Sequence, residues 1–236
     1  MVMKRVRELC EKYLPGSNHT LIYIHIGKCG GASLNAAISQ SKRLADEFHY
    51  ITHVHVEKPK FRAGARYMIV LRNPITRALS AFNWRYRLVV DEASQNYRFP
   101  GEIDVLRKYG TLNSLAEKLY VDGELSESVA GEFRLIHHLK EDISFYLSDL
   151  LEQVDAEQIF AVLAQENLDG DIEAHLGVIN ESRIHSNRPE TDSEKLQLSD
   201  LARSNLKRFL QRDYDAIRRL DEMHPIGSER LELLLA

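Results

Sequence analysis

The sequence predicts a three-layer α/β fold, with a central, mainly parallel β-sheet flanked by helices. Three observations predict it. Short apolar, β-branched runs at 21–26, 67–71 and 158–164 have the length and composition of buried strands. Segments with helical spacing separate them, as crossovers between parallel strands require. The chain has 236 residues, 44% apolar and 28% charged, with no Pro/Gly/Ser-rich linker, which suits one large domain.

Taken in order, residues 3–14 have the pattern of a short amphipathic helix ended by Pro15-Gly16. Residues 21–38 then read as strand, tight glycine loop and helix. Leu21 to Ile26 is apolar with one histidine, and Gly27-Lys28-Cys29-Gly30-Gly31 follows. Glycines lacking a Cβ allow a ligand close to the backbone. Ser33, Leu34, Ala36, Ala37 and Ile38 suit a helix running to about Arg43. Free N–H groups at a helix start, with Lys28 beside them, form an anion site of the phosphate type. Glycine turns that bind nothing are equally common at this place. The lysine precedes the glycines, unlike the nucleotide loop Gly-x-x-x-x-Gly-Lys-Ser/Thr.

Residues 48–56 alternate as a strand does. Ile51, His53 and His55 share one face, and Tyr50, Thr52, Val54 and Val56 the other. The histidines are either satisfied surface groups or a general base. A basic loop at 57–66 leads to the strand at 67–71. Arg72-Asn73-Pro74 follows, with Pro74 suited to a first helical turn and Ser80 two turns in. Ligands of open α/β sheets bind at such carboxyl ends, and an arginine there suits a phosphate. A structural ion pair for Arg72 and plain helix packing for Ser80 are the alternatives.

Residues 83–101 form a polar, aromatic loop of the kind that covers a site, with Trp84 either core or beside a ligand. Residues 102–120 read as one or two helices broken near Gly110-Thr111, and 124–153 as helical. His137 and His138 are adjacent, which on a helix puts them on different faces, so no metal site is expected. The strand at 158–164 is followed by Gln165-Glu166-Asn167-Leu168-Asp169, a short helix at 171–176, a basic loop at 177–192 with Arg183 and Arg188, and a helix pair or one long helix over 193–221.

A net charge of −4 argues against nucleic acid as a partner. Two cysteines, Cys10 and Cys29, form no disulfide framework and suit a reducing compartment. No run has membrane-span length, so no stable membrane insertion is expected. The charged start lacks the apolar segment of a signal peptide, which points to a cytoplasmic enzyme.

The two anion loops, each after a strand, carry a resemblance. Ile24-His25-Ile26-Gly27-Lys28-Cys29-Gly30-Gly31-Ala32-Ser33-Leu34 resembles the 5′-phosphosulfate loop of sulfotransferases that use 3′-phosphoadenosine 5′-phosphosulfate (PAPS). Val70 to Phe82, with serine eight residues after arginine, resembles their 3′-phosphate loop. Thr52-His53-Val54 lies where carbohydrate-type members carry a base histidine, and the stretch from Gln165 resembles a later family segment. The resemblance implies a P-loop-like nucleotide-binding fold and a bacterial cytoplasmic enzyme. It implies a donor core at 18–82, a helical acceptor side at 83–157, and a last strand with C-terminal helices at 158–236. It implies PAPS as donor, no metal, and a small-molecule or glycan acceptor. His53 would take the acceptor proton, with His55 on the same face as the alternative base, and Lys28 would stabilise the leaving phosphate oxygen. Lys28, Cys29, Gly30, Gly31, Ala32, Ser33 and Leu34 would bind the 5′ end, and Arg72, Ser80 and a basic residue such as Arg188 the 3′-phosphate.

The chain departs from the family at two positions. Gly27 replaces proline, which should loosen the loop. Cys29 replaces threonine or serine, removing a hydroxyl and placing a thiol beside Lys28 and a helix start, where a lowered pKa and oxidation are expected. Two other classes remain in play: a nucleotide kinase or NTPase, which needs an acidic Mg²⁺ ligand at a strand end, and a non-catalytic nucleotide-binding protein.

Overall fold

The computed structural model describes residues 19–179 and 197–236. The helix expected at 3–14 and the residues Arg183 and Arg188 lie outside them. The described chain begins with β1 (Thr20–Ile24), buried from Leu21 onward. Helix α1 (Gly31–Gln40) follows. The single helix expected to reach Arg43 breaks at Ser41, whose extended backbone opens α2 (Lys42–Glu47). The Ser41 hydroxyl accepts from the Leu44 amide at 3.1 Å and donates to the Leu176 carbonyl at 2.6 Å. That is the behaviour of an N-cap serine, which satisfies an amide the helix leaves open.

Strand β2 (Tyr50–Val54) and strand β3 (Ala65–Leu71) come next. Helix α3 (Pro74–Tyr86) starts with proline at its first turn and runs into a π-helical turn, Arg87–Asp91. The region expected as a loop from 83 is thus helical to 91, because Phe82, Arg85 and Val89 continue the buried stripe. Helices α4 (Glu102–Tyr109) and α5 (Leu112–Ala116) break at Gly110, as expected. A two-strand hairpin, β4 (Tyr120–Val121) and β5 (Glu124–Leu125), turns at Asp122-Gly123. Helices α6 (Glu127–Leu135) and α7 (Ile143–Leu151) follow, separated by a turn at 136–142. Strand β6 (Ile159–Ala164), α8 (Leu168–Leu176), α9 (Asp200–Phe209), α10 (Gln211–Met223) and α11 (Ser228–Leu235) complete the described chain.

The main sheet has the order β2-β1-β3-β6 and every pairing in it is parallel. Its two central strands, β1 and β3, are near-continuous apolar runs because both of their faces are covered. From β1 the chain passes through α1 and α2 to β2 on one side. From β3 it passes through the helical region to β6 on the other side. The crossovers diverge between β1 and β3, and the loops beyond those two strands flank the crevice where open sheets bind ligands.

Two apolar clusters hold the chain. One lies on the sheet and includes Tyr23, Leu34, Ile69, Leu147, Leu163 and Ile217. The other joins α3 to the helical region and α9 through Phe82, Leu106, Leu115, Phe133 and Leu206. Helix α10 contributes to both, with Ile217 in the first and Tyr214 in the second. Among the described residues no helix is long and apolar enough to cross a membrane.

Candidate functional site: the crevice between two strand-to-helix loops

The loop after β1 turns sharply. Lys28 and Gly30 both have left-handed backbones, with φ of 72° and 83°. Lysine rarely takes this conformation, at a cost on the order of 1 kcal/mol, so the loop shape is imposed by its surroundings. Those surroundings are protein on every glycine. A Cβ at Gly31 would fall inside the His25 ring, and one at Gly27 against the His138 ring. A Cβ at Gly30 would meet Leu168 Cδ2 at 2.5 Å. The glycines therefore make room for neighbouring side chains on their Cβ side, rather than for a ligand as expected.

Gly27 is also held through its backbone. Its carbonyl accepts from Arg77 Nε at 3.0 Å. The same buried guanidinium donates through Nη2 to the His138 carbonyl at 2.8 Å and to the Glu141 carbonyl. Arg77, 1% exposed, thus ties the lysine loop to the turn at 136–142. Sequence reasoning gave Arg77 no role; only its place one turn into α3 hinted that it faces the sheet.

Cys29 is 0% exposed, and burial pushes its thiol up to about 12. The expectation of a reactive, low-pKa thiol is overturned: desolvation outweighs the pull of Arg77 and Arg72. Its side chain is part of the sheet core, so only its backbone can face a ligand.

Helix α1 opens without a side-chain cap and without an acid in its first turn. Ala32 is exposed, Ser33 half-buried and Leu34 buried against the core. Lys28 Nζ rests 4.5 Å over the Trp84 ring. Burial, with Arg72 and Arg87, lowers its pKa to about 8. No carboxylate pairs with it among the described residues.

The loop after β3 meets the first directly. Arg72 Nη1 donates to the Lys28 carbonyl at 3.1 Å, and its Nε donates to Thr76 Oγ1 at 3.1 Å. Asn73 caps α3, its Oδ1 accepting from the amides of Ile75 and Thr76 at 3.0 and 3.1 Å. Its Nδ2 donates to the carbonyls of Leu234 and Ala236 at 3.2 and 2.9 Å, which docks α11 behind the loop. The Asn73 amide donates to Glu166 Oε1 at 2.8 Å. Ser80 lies half-buried within α3 with no hydrogen-bond partner among the described residues.

The histidines divide. His53 is exposed on β2, across from Tyr23 on β1. His55 lies just past β2, half-buried, with Nδ1 3.0 Å from the His25 carbonyl. Its ring stacks on His25 with centroids 4.2 Å apart, and lies 5.6 Å from His138. His138 in turn lies 5.3 Å from Trp84, the ring that holds Lys28. The structure thus brings Lys28, Arg72, Arg77, Trp84, His138 and His55 into one continuous group and leaves His53 beside it.

His137 and His138 are not on a helix. They follow α6 in the turn, His138 with φ of 69°, so their rings stack at 4.0 Å. The argument from helix faces does not apply to them. With Glu141 they place three ligand-type atoms within 4.8 Å of one another. Glu141 Oε2, however, accepts from the His138 amide at 2.9 Å and lies 3.4 Å from His137 Nδ1. The turn is held further by Glu102, whose Oε1 accepts from the His137 amide while its carboxylate grips Arg85 at 2.8 and 2.6 Å. Burial, His137 and Arg77 lead the causes that depress His138's pKa, with Lys28 adding to them. The same nearby positive charge opposes a divalent cation there.

No family model, curated protein or solved structure matches this chain.

Proposed function

We propose that the chain is a sulfotransferase that moves the sulfonyl group of PAPS to an acceptor hydroxyl, on a carbohydrate or glycolipid. The observation that carries this reading is the 3.1 Å bond from Arg72 to the Lys28 carbonyl. It supports placing two full positive charges, from loops whose sequences resemble the two donor loops, at one crevice. The uncapped α1 and Lys28 would hold the 5′-phosphosulfate, and Arg72 with Ser80 the 3′-phosphate. Lys28 would stabilise charge developing on the departing phosphate oxygen.

Of the two candidate bases, His55 suits the role better than His53. Its Nδ1 faces an acceptor, the His25 carbonyl, which leaves Nε2 with the lone pair. His53 has no comparable link to the Lys28 group. Titration calorimetry with 3′-phosphoadenosine 5′-phosphate against ATP tests the donor. Preference for the 3′-phosphorylated nucleotide is expected, and preference for ATP would move the assignment to a kinase or NTPase. A labelled-donor screen over sugars, glycolipids and phenols then tests transfer, and His55→Ala should abolish it where His53→Ala does not.

A further inference from the structure

A row of rings crosses the carboxyl ends of β1 and β2. Tyr23 stacks on His25 at 5.5 Å, His25 on His55 at 4.2 Å, and His55 approaches His138 at 5.6 Å. The row then divides, to His137 at 4.0 Å and to Trp84 at 5.3 Å. The two rings next to His55 are fixed by the loop itself. His25 lies where Gly31 has no Cβ, and His138 where Gly27 has none. His138 is 5% exposed and its Nδ1 has no hydrogen-bond partner. Burial, then His55, lowers His25 to about 4, and burial depresses His138 further, so both flanking rings are neutral near neutral pH. The amide of His25 also donates to the Val54 carbonyl at 2.9 Å, which keeps the ends of the two strands in register.

We propose that His25 and His138 are positioning residues for His55: the His25 ring stacks on it, the His25 carbonyl facing Nδ1 selects the tautomer whose Nε2 is basic, and the tilted His138 ring packs beside it, which together fix the ring to the lysine-glycine loop. The proposal rests on the sulfonyl-transfer reading for its catalytic use. In that step the acceptor hydroxyl proton passes to His55 Nε2 as the acceptor oxygen bonds to sulfur. The bond from sulfur to the 5′-phosphate oxygen breaks, and its electron pair leaves on that oxygen near Lys28. A ring stacked on one neighbour and packed beside another needs no reorientation before it accepts the proton, and pre-set geometry of this kind is what a base requires. The two glycines thereby tie base placement to the loop that would hold the donor.

The test uses the full chain with ¹⁵N-labelled histidine. Long-range ¹H–¹⁵N correlation should show His55 protonated at Nδ1 in the wild type. In His138→Ala that signal should shift toward a mixture of tautomers, and kcat should fall by about tenfold or more with the affinity for 3′-phosphoadenosine 5′-phosphate unchanged. His138→Phe, which keeps a flat ring, should recover most of the loss and provides a second variant if the alanine protein fails to fold. A wild-type His55 protonated at Nε2, or a His138→Ala protein with unaltered tautomer and kcat, overturns the proposal. A wild type with the Nδ1–H tautomer that transfers no sulfonyl group overturns instead the sulfonyl-transfer reading, and with it the catalytic use of the stack.

Discussion

The two strand-to-helix loops at the crevice begin their helices in opposite ways. At α3 the Asn73 side chain takes the amides of Ile75 and Thr76 for itself. At α1 the preceding residue is Gly30, which has no side chain to offer as a cap. The partial positive charge at the start of α1 therefore has no cap from its N-cap residue, whereas the one at α3 does. An anion at the first loop can be held by backbone. At the second it must be held by side chains, which is where Arg72 and Ser80 stand. A strand, a turn and a helix start do not by themselves make an anion site; the cap decides.

Four changes break or sharpen this contrast. The largest is expected from Lys28→Asn, which removes the only full charge on the first loop while keeping a residue that tolerates a left-handed backbone. Turnover should fall by about 10²–10³, on the order of 3–4 kcal/mol, as for loss of a transition-state charge partner. Single-turnover kinetics would read it, and retention of wild-type rate would show that the amides act alone.

Next comes Gly31→Ala. The new Cβ would displace the His25 ring, an overpacking that costs about 1–3 kcal/mol in stability. Urea unfolding measures it. A neutral result would mean that the ring moves freely and that the loop and the histidine are not interlocked.

The third concerns pH. Lys28 lies near 8 in the ligand-free chain, mainly through burial. A bound anion favours the charged form and raises that value. Below pH 8 the lysine is already charged and affinity should be flat; above it, binding must take up a proton. Affinity for 3′-phosphoadenosine 5′-phosphate should then fall about tenfold per pH unit, roughly 1.4 kcal/mol. Calorimetry in two buffers of different ionisation heat checks the uptake, which Lys28→Asn should abolish.

The smallest is Asn73→Ala. Loss of the cap should cost about 1 kcal/mol of stability. Affinity should change less than for any change at the first loop. A larger loss of affinity than of stability would place a ligand on the α3 amides after all.

Much of the sheet was legible in the sequence, because the strands at 21–26, 67–71 and 158–164 are local apolar runs and Pro74 and Gly110 mark boundaries by their own backbone limits. The convergence of Lys28 and Arg72 was legible too, since both follow strands of one sheet. What was not legible came from contacts distant in sequence. Arg77 reads as an ordinary helix residue until its three carbonyl partners, from 27, 138 and 141, are seen. Gly27 and Gly31 read as ligand clearance until the histidine rings fill their space. Cys29 reads as a reactive thiol because its neighbours are cationic, and burial, which the sequence does not show locally, reverses that. The turn at 136–142 reads as helix because its apolar residues keep helical spacing across the break.

Lys28 resting on Trp84 has an optical consequence. Trp84 is the one tryptophan in 236 residues, so the intrinsic tryptophan emission of the chain comes from the rim of this crevice. An ammonium drawn off the indole face by an arriving phosphate changes the field across the chromophore and its contact with His138. Emission from the unmodified protein should therefore shift in wavelength or intensity as nucleotide is added, giving a label-free signal fast enough for stopped-flow.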